Sequence, residues 1–110
     1  MNKKIRKEVF NKYKGHCAYC GCKLTLKDMQ VDHITAKYLG GQDDISNLNP
    51  ACRQCNFYKQ TLTIEEFREK MGSLMLRVRG SYIYRLALKY RMVKEIEWNG
   101  KFYFEKLKEK

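Results

Sequence analysis

The feature that most constrains this chain is a pair of C-x-x-C sequences, Cys17 to Cys20 and Cys52 to Cys55, within 110 residues. Two such pairs supply four thiolates, and two tight knuckles facing each other satisfy the tetrahedral coordination of a closed structural Zn²⁺ site. A redox dithiol would need only one C-x-x-C on a βαβ framework, and inert buried thiols would not need the spacing. The fifth cysteine, Cys22, lies two residues beyond Cys20 and receives no role. His16 would be a competing ligand or a phosphate contact, although a lone polar residue at a helix exit usually serves as neither. A chain this short buries a proportionally small core, so a metal clamp would add to its stability.

Lys and Arg total 23 against 12 Asp and Glu, a formal net charge of +11. Charge of that density attracts polyanions, which makes nucleic acid the first partner to consider, against the plainer reading of a solubilising surface. No apolar run follows the basic segment Met1 to Phe10, so neither a secretory signal nor a membrane span is expected and the expected location is cytoplasmic. A reducing compartment agrees with cysteines in metal-ligand spacing.

Ile5, Val9 and Tyr13 recur every four residues among charges and predict an amphipathic helix over 3–14, with Gly15 as its C-terminal cap. Residues 16–62 are rich in turn formers, so their order must come from ligands and short elements. Thr63-Ile64-Glu65-Glu66 predicts a capping box that opens a helix through Met71, closed by Gly72. A further helical stretch over 73–93, with Gly80 as a break, is expected to bury Ile83, Leu86, Ala87, Tyr90 and Val93 and to expose Arg85, Lys89, Arg91 and Lys94. Asn99-Gly100 between two β-rich runs predicts a C-terminal β-hairpin. A three-residue loop, preferred over a two-residue turn, would put Ile96, Trp98, Phe102 and Phe104 on one face. With no repeat or linker visible, the expected organisation is one domain over 1–110, with a core at about 10–70 and a helical and hairpin extension at about 73–110.

Between the knuckles lies Val31-Asp32-His33-Ile34. Neighbouring side chains on a regular strand point to opposite faces, so Asp32 and His33 can serve one site only at a strand end or bend. Phosphodiester hydrolysis needs a base for water, a cation for the phosphate oxygens and stabilisation of the leaving oxyanion. His33 suits the first task because its ordinary pKa lies near neutrality, and Asp32 suits the second. Asn56, at the start of a short helix expected over 53–59, would add an amide oxygen for a hard ion such as Mg²⁺ or Mn²⁺.

In order and approximate spacing, C-A-Y-C-G, V-D-H-I, G-G-x-D, S-N-L, C-R-Q-C-N and Lys59 resemble the HNH endonuclease family with zinc-binding cysteines, over about residues 10–70. The resemblance implies an α+β, ββα-metal fold. It makes Asp32 a metal ligand, His33 the general base and Asn47 a bracket that ties the loop between the strands. Asn56 becomes the last signature residue and Lys59 a phosphate contact; Arg53 and Lys37 are further residues expected to bind nucleic acid. The chain departs from the pattern at Asn56, where many members have histidine, and at Ala36, where many have proline.

The expected function is a Mg²⁺- or Mn²⁺-dependent DNA endonuclease, with RNA left open as a substrate and Lys3, Lys4, Lys7, Arg85, Lys89 and Arg91 as sequence-independent phosphate contacts. The rivals are a catalytically silent zinc-ribbon module that binds nucleic acid, and a nicking subunit of a larger phage or mobile-element machine. Double-strand cutting by one site would call for two events or for a homodimer built on residues 73–110.

Overall fold

The computed structural model describes residues 1–108. Helix α1 (Lys3–Lys12) opens on Asn2, whose side chain accepts from the Ile5 amide at 2.8 Å, and its apolar stripe buries Val9. It ends at Lys14 and Gly15, both at positive φ, with the Gly15 amide donating to the Phe10 carbonyl at 3.0 Å. Glycine suits this left-handed turn, and a Cβ there would also come within 3.1 Å of the Phe10 ring.

After the first knuckle, β1 (Gln30–His33) pairs antiparallel with β2 (Leu48–Ala51), in a register running from Gln30 opposite Ala51 to His33 opposite Leu48. Helix α2 (Arg53–Lys59) follows at once and has the bounds expected from the sequence. The Cys52 sulfur caps it by accepting from the Cys55 amide at 3.3 Å. The fold is therefore α+β, with a β–β–α succession at its centre. The Ala18 amide donates to the Pro50 carbonyl at 2.9 Å and ties the first knuckle to β2, which leads into the second.

Helix α3 (Ile64–Gly72) opens on the expected capping box: the Thr63 hydroxyl accepts from the Glu66 amide at 3.1 Å and the Glu66 carboxylate accepts from the Thr63 amide at 2.9 Å. It carries Phe67 into a core with Val9, Tyr19, Met29, Leu48 and Phe102. Helices α4 (Leu74–Val78) and α5 (Tyr82–Lys89) are separated around Gly80, where the break was expected. No helix among the described residues is long and apolar enough to cross a membrane.

Two expectations are corrected. The apolar face of α5 is not core: Ile83 is 77% exposed, and Leu86, Tyr90 and Val93 are exposed as well. Around the turn at Gly80, Arg79 before it and Tyr84 of α5 both bond Glu95, and Arg85 bonds the Arg79 carbonyl. The molecule measures 50 × 28 × 28 Å with a radius of gyration of 16.1 Å, against roughly 13 Å for a compact domain of about 100 residues.

The C-terminal hairpin does not form either. Gly100 keeps the positive φ of a turn, but the residues after it enter helix α6 (Tyr103–Leu107). The amides that a hairpin would pair with 95–98 find other acceptors: Phe102 donates to Glu105 at 2.9 Å, Tyr103 to the Tyr19 carbonyl at 3.0 Å and Phe104 to the Ala18 carbonyl at 2.9 Å. Docking on the knuckle also stacks Phe102 on Phe67 at 5.0 Å and sets it edge-on to Tyr19 at 5.4 Å. Arg68 clamps the segment through two 2.7 Å bonds to Glu105 and a further bond to the Gly100 carbonyl. Because Phe102 is the buried anchor, Phe102→Ala is expected to cost about 3–5 kcal/mol, read as a lower urea midpoint at constant slope. A hairpin held only by its own strands would lose much less.

Candidate active site and metal centre

The sulfurs of Cys17, Cys20, Cys52 and Cys55 all lie within 4.8 Å of one another, and Cys20 and Cys52 approach to 3.9 Å. A tetrahedral ion with bonds of roughly 2.3 Å to sulfur separates its ligands by about 3.8 Å, so the four cysteines are positioned to bind a metal ion. A hydrogen bond from Cys55, helped by backbone amides of Cys20, Cys52 and Tyr19, pulls the Cys17 thiol down to about 4 and favours the thiolate a metal requires. The same contact pushes Cys55 up. Cys22 lies outside the cluster, and His16 bonds the Tyr13 carbonyl and packs on Tyr103, so neither is a ligand.

A buried polar chain runs from the knuckle to β1. Tyr19 donates its hydroxyl to Asp32 Oδ2 and accepts from Asn49 Nδ2 at 3.3 Å, and Asn49 Oδ1 accepts from Lys12 at 3.1 Å. On the other side, Lys59 Nζ donates to Asp32 Oδ1 at 3.1 Å and to the His33 carbonyl at 3.3 Å. Burial pushes the Asp32 carboxyl up, while the Tyr19 hydroxyl and the Lys59 charge pull it back. Burial together with the Asp32 charge also raises Tyr19 above its ordinary range.

This geometry corrects the expectation for Lys59. It is 0% exposed, so it meets Asp32 and no phosphate, because α2 packs on β1 with that face inward. Asp32 is 3% exposed and both its oxygens are engaged. A carboxylate accepts at about four positions, so Asp32 retains bonding capacity, but an ion at Oδ1 would have to exchange places with the Lys59 ammonium. Asn56 differs. Its side chain makes no hydrogen bond among the described residues and borders an open groove with Gln30, Arg53, Gln54 and Phe57. It stands one helical turn before Lys59, hence on the face of α2 that meets β1.

His33 is the last residue of β1, the strand end that an acting Asp–His pair requires. Beyond it, Asn47 brackets the loop: its Oδ1 accepts from the Thr35 amide at 2.8 Å, and its Nδ2 donates to the carbonyls of Thr35 at 3.1 Å and Gln42 at 3.0 Å. The bracket draws Gly41 so close that a Cβ there would lie 1.8 Å from the Thr35 oxygen. Gly41→Ala must therefore open the loop, and we expect a loss of roughly 2–4 kcal/mol by urea unfolding. The neighbouring Gly40→Ala meets no atom within 4 Å but sits at φ +95°, so it should cost about 1 kcal/mol through backbone strain alone.

The loop places Asp43 beside His33, with Oδ1 2.7 Å from His33 Nε2, and Lys37 bonds Asp43 Oδ2 at 3.2 Å. Lys37 is thus paired with a carboxylate while remaining exposed, and Arg53 lies exposed at the start of α2. Asp43 and Tyr19 have no role that their local sequence assigns. The first stands in G-G-x-D and the second between two cysteines, but nothing local reveals which partner each would meet.

A two-stranded sheet and a helix, stapled by four cysteines and presenting a histidine at a strand end near an open asparagine, define a small ββα metal-binding module. The model of the HNH endonuclease family matches residues 17–61, which span both knuckles, His33, Asn47 and Asn56. The SPbeta prophage-derived protein YoqL of Bacillus subtilis (strain 168), which is named for an HNH endonuclease, is 33% identical over 72 residues. That alignment takes in 56% of this chain but only 29% of the relative. The crystal structure of the Type II-C Cas9 enzyme from Actinomyces naeslundii superimposes with a TM-score of 0.55 at 26% identity, over 62% of this chain and 8% of that one.

Proposed function

We propose that this chain is a metal-dependent endonuclease that hydrolyses phosphodiester bonds in DNA, with His33 as general base. The observation that carries the reading is the state of His33: Nε2 is held by Asp43, whereas Nδ1 makes no bond among the described residues and is left to take a proton from water. The four cysteines would hold Zn²⁺ as scaffold. Asn56, with its open carboxamide, and Asp32, by exchange at Oδ1, would hold Mg²⁺ or Mn²⁺. Such an ion would supply charge neutralisation at the phosphate and at the departing 3′ oxygen, and departure of that oxygen would give 5′-phosphate products.

Arg53 and Lys37 flank the site, and the stretch 73–94 holds Arg77, Arg79, Arg85, Lys89, Arg91 and Lys94 without a single acidic residue. That asymmetry supports a polyanionic substrate lying along the molecule. The prophage origin of YoqL supports a phage or mobile-element setting for such a nuclease.

The test is conversion of supercoiled plasmid by zinc-loaded protein with Mg²⁺, Mn²⁺ or EDTA. Nicking only with the added ion is expected. A specific observation favours the rival silent module, namely the engagement of both Asp32 oxygens. Retained binding of DNA or RNA with no cleavage under any ion would establish that rival instead.

A further inference from the structure

The loop between the strands contains more machinery than the histidine alone. Asn47 pins Thr35 and Gln42 together, the Gly41 amide donates to the Ala36 carbonyl at 3.0 Å, and Asp43 follows directly on the pinned residue. Its carboxylate is divided between two partners, Oδ1 on His33 Nε2 at 2.7 Å and Oδ2 on Lys37 Nζ at 3.2 Å. The His33 hydrogen bond, with help from Lys37, holds the Asp43 carboxyl below the usual carboxylate range, so it is an acceptor only. A neutral imidazole has one N–H and one lone pair. If Nε2 faces an obligate acceptor, the proton resides there and the lone pair resides on Nδ1.

We propose that Asp43 is a positioning residue that locks His33 in its Nε2–H tautomer and ring orientation, leaving Nδ1 as the atom that accepts the proton of the attacking water. The proposal rests on the reading of His33 as the base. In that step the water O–H bond breaks, its proton passes to Nδ1, and the oxygen bonds phosphorus as the ester oxygen leaves. Asp43 neither gains nor loses a proton. The loop pattern G-G-x-D with Asn47 then has one purpose: the glycine permits the close turn, the asparagine pins it and the turn delivers the carboxylate. The competing view is an exposed ion pair of no consequence, since such pairs contribute little when solvent reaches them.

The chain contains two histidines, so the ring nitrogens of His33 can be assigned by comparing ¹⁵N-labelled protein with a His16→Gln variant. Long-range ¹H–¹⁵N spectra of the zinc-loaded protein should show His33 protonated on Nε2 alone, and Asp43→Ala should give a mixture of tautomers with an unchanged fold and zinc content. In single-turnover nicking, Asp43→Ala should lower the rate roughly tenfold to a hundredfold, with DNA affinity altered less than about threefold. Formate, a small carboxylate able to enter the exposed space, should restore part of that rate where chloride does not. Unchanged ring signals in Asp43→Ala overturn the lock, as does undiminished cleavage by that variant beside an active wild type. A wild type that never cleaves refutes the nuclease reading, and the ring spectra still decide the lock independently.

Discussion

Replacing His33 by alanine is expected to slow nicking by about 10² to 10⁴, the range a positioned general base contributes. The loss should fall on the chemical step. His33 pairs with Leu48 through the backbone of β1, its side chain lies outside the apolar core, and the pairing survives truncation. Zinc content, thermal midpoint and DNA affinity should therefore change little. Nicking measured with enzyme in excess over plasmid separates chemistry from product release, and a decrease below tenfold would remove His33 from the mechanism. A residual rate is expected, because the proposed ion at Asn56 would still neutralise the phosphate and bulk water would still attack it.

Removing the cysteine-bound metal should have the larger effect on structure. Structural zinc in small domains is worth about 10–16 kcal/mol, comparable with or above the 5–15 kcal/mol of an ordinary folded domain. Here a metal on the four cysteines would supplement a small core: Cys17 is buried, Tyr19 in the same knuckle holds Asp32, and the carbonyls of Ala18 and Tyr19 anchor the C-terminal segment. Chelation by phenanthroline, or Cys52→Ser, is accordingly expected to abolish cooperative thermal unfolding seen by circular dichroism and to abolish nicking even in excess Mg²⁺. The α2 cap disappears with the same thiol, since Cys52 Sγ accepts from the Cys55 amide. Metal-free protein that melts within a few degrees of the loaded form would show the cluster to be dispensable for folding.

Much of the architecture was legible because its causes are local. C-x-x-C spacing needs only a tight turn, the Thr63–Glu66 capping box closes within four residues, and Cys52, the residue after β2, caps α2. Asn47 was legible in a similar way through the spacing of the family it resembles, and the structure sets its side chain across Thr35 and Gln42.

The errors share a different cause. Alternation around Asn99-Gly100 is compatible with a hairpin and equally with a turn whose following residues dock elsewhere, and the free carbonyls of Ala18 and Tyr19 decided the matter from far away in sequence. The stripe on α5 has helical period, but period states only that one face is apolar, and Ile83, Leu86, Tyr90 and Val93 stay exposed. Lys59 reads as a surface cation until α2 is laid on β1 and Asp32 becomes its partner.

The sequence by itself determined the four-cysteine cluster, the helix starts set by caps and the need for a strand end or bend at Asp32–His33, because spacing, capping and strand geometry act over a few residues. Only the tertiary structure decided that Asp32 is buried between Tyr19 and Lys59, that Asp43 holds His33 and that the C-terminal segment packs as a helix on the knuckle. Those outcomes depend on which donors and acceptors meet across the fold, and burial makes each such meeting obligatory for groups that would otherwise lose their hydrogen bonds.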